Sequence, residues 1–131
     1  RGLQGKIGGL FAGEIVNASE GRPALHWALR GGGGGPAVEA MREAQVKAAA
    51  FARQASSGGV GFPLATILHI GIGGSDLGPR LVWDALRPYG AAGPQLRFCA
   101  NVDPEDFAEA TEGVDPATTL VIVVSKSFKT P

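Results

Sequence analysis

The sequence has 131 residues and a mass of 13.4 kDa, enough for one small core and too little for several. Leu, Ile, Val and Phe make up about a quarter of it, which excludes wholesale disorder. Twelve basic and twelve acidic side chains cancel at a pI near 6.9, so there is no global positive field of the kind that gathers nucleic acid or an anionic membrane.

The single cysteine, Cys99, lies in an apolar run, where it reads as a buried thiol, and a lone cysteine forms no intrachain disulfide. A reducing, cytoplasmic setting is the expectation. The longest apolar runs, Leu64 to Ile72 and Leu120 to Val124, are far below the ~20 residues of a membrane-spanning helix. Arg1 in place of an initiator methionine, and an end at Thr130-Pro131 just after a strand-like run, read as cuts, so a longer chain is expected.

In chain order, Asn17 to Arg30 is expected to hold a short helix starting near Ser19, with Leu25, Trp27 and Leu29 as its apolar residues. Five glycines, Gly31 to Gly35, have no side chains to pack and read as a connector. Pro36 then opens a helix in which Val38, Met41, Ala44, Ala48, Phe51 and Ala55 recur at three- and four-residue steps until Gly58-Gly59. The organisation is therefore helical segments over residues 1–60, with the connector at 31–35, followed by the first part of a second domain over 61–131.

In that second part, Ala65 to Ile70 reads as a strand running into the loop Gly71-Ile-Gly-Gly-Ser-Asp-Leu-Gly-Pro79. Leu77, Leu81, Val82, Ala85 and Leu86 have helical spacing, stopped by Pro88 and Gly90. Leu96 to Ala100 is the next strand, Pro104 to Ala110 a helix capped by Asp103, and Thr118 to Val124 a third strand. Strands alternating with helices, apolar throughout, are satisfied by an α/β fold with a doubly wound parallel sheet covered on both faces.

A parallel sheet sends both similar strand exits, Gly71 to Ser75 and Ser125 to Thr130, to one carboxyl edge, where such sheets bind ligands. Bare backbone N–H groups, the hydroxyls of Ser75, Ser125, Ser127 and Thr130, the Lys126 cation and a helix N-terminus together describe an anion site, best suited to phosphate. Neither nucleotide motif is met. Asp76 stands where the dinucleotide fingerprint needs its third glycine, and Pro79-Arg80 replaces the Lys-Ser/Thr of a P-loop. A glycine-rich exit can also be no more than a tight strand-to-helix turn, and the serine-rich second exit is what favours a site.

Ile70-Gly-Ile-Gly-Gly-Ser-Asp-Leu-Gly-Pro79 resembles the signature loop of the phosphoglucose isomerase family. Asn17 to Arg30 is similar to that family's upstream Asn-x-Thr-Glu-x-Arg segment, Ala100-Asn-Val-Asp103 to its Ser-Asn-Val-Asp, and Thr119 to Thr130 to its strand and Ser-Lys-Thr-Phe-Thr-Thr loop. Ser127 stands where the family has threonine, Lys129 replaces a threonine and Pro131 a glutamine.

The resemblance implies a sugar isomerase domain, a flavodoxin-like three-layer α/β/α sandwich, incomplete here. It implies aldose-ketose isomerisation between glucose 6-phosphate and fructose 6-phosphate through an enediol, as in glycolysis and gluconeogenesis, by a cytoplasmic homodimer with no metal or organic cofactor. Ser75, Ser125, Lys126, Ser127 and Thr130 would hold the phosphate, while Gly73 and Gly74 would let the sugar approach the backbone. The family's glutamate base falls outside these residues, so the 131 residues alone are expected to be inactive, and no catalytic position is assigned within them.

Two other readings use the same residues: a non-catalytic phosphosugar sensor, and an NAD(P)-dependent oxidoreductase with Asp103 on a ribose. His26, His69, Trp27 and Trp83 read as packing residues. Asp76, Glu105 and Asp106 read as first-turn acids favoured by the helix dipole, and Arg22 and Arg30 as ion-pair partners.

Overall fold

The structure is a computed structural model and describes residues 2–30, 35–90 and 93–129. It divides into two units, Arg1–Arg53 and Gln54–Pro131.

In the first unit, α1 (Leu3–Phe11) forms despite three glycines, ending at Ala12, whose N–H bonds back to Gly8 at 2.9 Å. The helix expected from Ser19 is replaced by turns, with one short 3-10 helix at His26–Arg30. Two residues explain this difference: Gly21 takes a left-handed φ of +62°, and Pro23 has no N–H to donate. Ser19 is no helix cap; its N–H bonds to the Asn17 side chain at 3.1 Å. Trp27 packs edge-on to Phe11 with ring centroids 5.4 Å apart, and Ala28 and Val38 are buried nearby in sequence. The long helix α2 (Pro36–Ser56) forms as its periodicity requires, with Gln45 donating to the Leu29 carbonyl at 3.0 Å. Its apolar stripe is poorly covered: Ala44, Ala48 and Phe51 are exposed. The connector glycines 31–34 lie outside the described residues.

The second unit is an α/β sheet. Strands β1 (Thr66–Ile70), β2 (Gln95–Cys99) and β3 (Thr119–Val123) are parallel in the order β2-β1-β3. Thr66 pairs with Gln95 and Thr119 at one end, and Ile70 with Cys99 and Val123 at the other. Helix α3 (Gly74–Leu86) links β1 to β2, and α4 (Pro104–Thr111) leads from β2 towards β3. Asp103 caps α4 as its sequence position predicts, accepting from the Glu105 N–H at 3.0 Å.

Side-chain alternation assigns the two helices to opposite faces. Leu68, Cys99 and Ala110 form the core on the α4 side, with Ile70 packed against it. His69 and Phe98, paired in register, point the other way, towards Arg80 and Ser75 of α3. β1 is thus sandwiched, its Leu68 and His69 both about 95% buried, whereas Val121, Ile122 and Val123 of β3 are exposed. The expectation of strands covered on both faces holds for β1 and not for β3, which pairs with one strand among the described residues and leaves Val121, Ile122 and Val123 exposed.

Candidate functional site: the crevice at the carboxyl ends of β1 and β3

With β1 central, the chain leaves it towards β2 on one side and returns as β3 on the other. The strand order therefore reverses between β1 and β3, and the loops leaving their carboxyl ends diverge to open a crevice. A cavity of about 170 Å³ lies there, walled by Ile70, Ile72, Val123 and Val124 and furnished with Ser75, Ser125, Gly71 and Phe128.

Ser75 comes from the first turn of α3. The turn before it depends on Gly73, at φ +59°, a conformation that side chains rarely adopt. Beyond it, Ser75 N–H bonds to Ile72 at 3.2 Å and Asp76 N–H to Gly73 at 3.0 Å. The N–H groups of Gly73 and Gly74 are left without a protein acceptor among the described residues, at the positive end of a 13-residue helix. A Cβ at either glycine would meet open space, so Gly73 is required by its backbone angle and neither by crowding. Gly71 is the reverse case and is the residue that sequence reasoning missed. A Cβ there would sit 3.0 Å from Ser75 Cβ and 3.1 Å from the Ser75 carbonyl oxygen, so only glycine lets strand and helix approach this closely.

Ser125 stands at the β3 exit and accepts a hydrogen bond from the Phe128 N–H at 3.0 Å. Phe128 adopts φ +51° to deliver it, which is strained for a residue with a side chain. A hydroxyl that accepts from the backbone keeps its own proton to donate, which suits an anion in the crevice. Lys126, Ser127 and Lys129 are exposed on the same loop and do not line the cavity, nor do Gly73 and Gly74. Thr130 lies outside the described residues. Of the sequence-selected residues that the structure describes, then, the crevice brings Ser75 and Ser125 together, and Gly73, Gly74, Lys126 and Ser127 do not line it.

Among the described residues, none lining the crevice carries a carboxylate or an imidazole. Asp76 is 5% exposed and both its oxygens are bound by Arg80, at 2.9 Å each. Arg80 also lies 4.4 Å over the Phe98 ring. His69 bonds to the Ser75 carbonyl at 2.9 Å. One oxygen of the Asp103 carboxylate caps α4 by accepting from the Glu105 N–H at 3.0 Å. The arrangement can hold an anion by neutral donors and a helix terminus, and the described residues that line it include no acid or base side chain placed to move a proton.

A family model described as phosphoglucose isomerase matches residues 1–131. Glucose-6-phosphate isomerase from Caulobacter sp. (strain K31) is 51% identical over 132 aligned positions, covering 92% of this chain and 24% of that protein. The same enzyme from Roseiflexus castenholzii is 45% identical over 144 positions, covering 99% and 26%. A crystal structure of a glucose-6-phosphate isomerase from Chlamydia trachomatis superposes with a TM-score of 0.77 at 31% identity, over 94% of this chain and 25% of that one. The chain spans about a quarter of the length of the curated relatives it matches. With the family model matching from end to end, and the signature loop at the reversal of strand order, the chain belongs to the phosphoglucose isomerase family.

Proposed function

We propose that the crevice between β1 and β3 is the phosphate-holding part of an aldose-ketose isomerase site for glucose 6-phosphate and fructose 6-phosphate. The observation that carries this reading is the convergence of Ser75 and Ser125 on one cavity at the carboxyl edge, beside the open N-terminus of α3. Ser127, Thr130 and the Lys126 cation complete the cradle from the second loop, while Gly73 and Gly74 leave the backbone open to the sugar. Holding the phosphate supplies binding energy remote from the reacting carbons, which fixes C1 and C2 for proton transfer. The transfer itself needs a base supplied by residues other than those lining this crevice. The working protein is a cytoplasmic homodimer that uses no metal or organic cofactor.

The test is conversion of fructose 6-phosphate to glucose 6-phosphate by the protein that carries this chain, coupled to a dehydrogenase. Lys126→Ala is expected to raise KM about tenfold, the cost of one charge-assisted contact, and Lys129→Thr to change it by less. The reverse order would contradict the placement of Lys126 in the cradle. A well-folded protein that binds fructose 6-phosphate without converting it would instead be a phosphosugar sensor.

A further inference from the structure

Pro79 sits inside α3, four residues after Ser75. In an uninterrupted helix the Ser75 carbonyl would accept the N–H of residue 79, and proline has none to give. The orphaned carbonyl is not left bare: His69 Nε2 lies 2.9 Å from it. A carbonyl oxygen only accepts, so Nε2 carries the hydrogen and fixes the imidazole tautomer. His69 is 5% exposed, on the central strand β1 between β2 and β3, and its ring tilts against Phe98 at a centroid distance of 5.4 Å. Phe98 in turn lies under Arg80, which grips Asp76, the residue after Ser75. The first turn of α3 is thus tied to the sheet at two successive residues, Ser75 through its carbonyl and Asp76 through Arg80.

We propose that His69 and Pro79 form a lock that positions Ser75 for phosphate: proline withholds the helical donor, and histidine supplies one from the central strand. The inference rests on the phosphate reading of the crevice. His69 is a positioning residue and touches no substrate. Its bond holds the Ser75 peptide at a fixed height above the sheet, so the hydroxyl faces the cavity it shares with Ser125. An ordinary intrahelical bond would tie Ser75 only to its own helix.

The experiment is a double-mutant cycle in the protein that carries this chain, reading kcat and KM for fructose 6-phosphate and the competitive inhibition constant of inorganic phosphate. Loss of one buried hydrogen bond predicts that His69→Leu raises KM and the phosphate constant about tenfold, with kcat within about threefold. His69→Gln keeps a donor of similar reach and is expected to stay within about threefold of the parent. In the Pro79→Ala background the carbonyl regains a helical partner, so the penalty of His69→Leu falls below about threefold. A packing role alone would give the same penalty in both backgrounds, and a folding defect would lower kcat with the folded fraction at constant KM; either result overturns the proposal. Should His69→Leu fail to fold, the histidine tautomer of the parent protein, read by nitrogen-15 NMR, decides: hydrogen on Nε2 supports the lock and hydrogen on Nδ1 overturns it. If Lys126→Ala leaves the phosphate constant unchanged while Nε2 carries the hydrogen, the phosphate reading fails and the lock stands as a structural device only.

Discussion

Gly71 shows how closely the strand exit and the helix are fitted. Its missing side chain is replaced by Ser75, whose Cβ and carbonyl oxygen would lie 3.0 and 3.1 Å from an added Cβ. The carbonyl oxygen is held by His69 and the Cβ is fixed to the same residue's backbone, so neither can give way cheaply. Gly71→Ala is therefore expected to cost about 1–3 kcal/mol, the usual penalty of overpacking, read as a shift of the denaturation midpoint. An unchanged midpoint would mean that the loop relaxes freely. The serines that meet at the crevice are legible in the sequence because hydroxyls at two similar strand exits signal an anion site. The need for glycine at 71, the left-handed Phe128 and the pairing of His69 with Pro79 are not. Each depends on an atom brought near by the fold rather than by sequence spacing.

At the scale of elements, the turn from β2 into α4 is held by two carboxylates, the Asp103 cap and Asp106. Asp106 accepts from the N–H groups of Ala100 and Asn101 at 2.9 and 3.0 Å, and these bonds hold its pKa below the ordinary value of 3.8, with Cys99 and Arg80 adding to the effect. Burial pushes the Cys99 thiol up, and the Asp106 carboxylate reinforces that shift. A depressed carboxylate stabilises the fold above its unfolded pKa and loses that contribution as pH falls through the folded value. Thermal melts of Asp106→Asn and the parent should thus differ by a constant amount near neutral pH and converge as pH drops below 3.8. A difference independent of pH across that range would contradict this role.

The elements of the second unit follow from their sequence patterns to within a residue or so at most boundaries, by short strand-like runs, a capped helix at Asp103 and glycine and proline stops, except that α3 starts at Gly74, inside the stretch Gly71 to Pro79 that reads as a loop. The first unit is less legible for physical reasons. Three glycines mask α1, since glycine lowers helix propensity, and Gly21 with Pro23 breaks the helix that Ser19 and Leu25 to Leu29 suggest.

Across the whole chain, the strand order β2-β1-β3 decides where function can lie. It makes β1 the shared centre of the sheet, places α3 and α4 on opposite faces, and opens one crevice between the exits of β1 and β3. The exposed Val121 and Ile122 of β3 are apolar surface that does not line that crevice. The most direct test of the account is a calorimetric titration of fructose 6-phosphate into the protein that carries this chain and into its Ser75→Ala, Ser125→Ala double variant. Each hydroxyl bonded to a charged phosphate is worth about 1.5–3 kcal/mol, so the account predicts an affinity loss of about a hundredfold or more. An unchanged affinity in a folded double variant would contradict it.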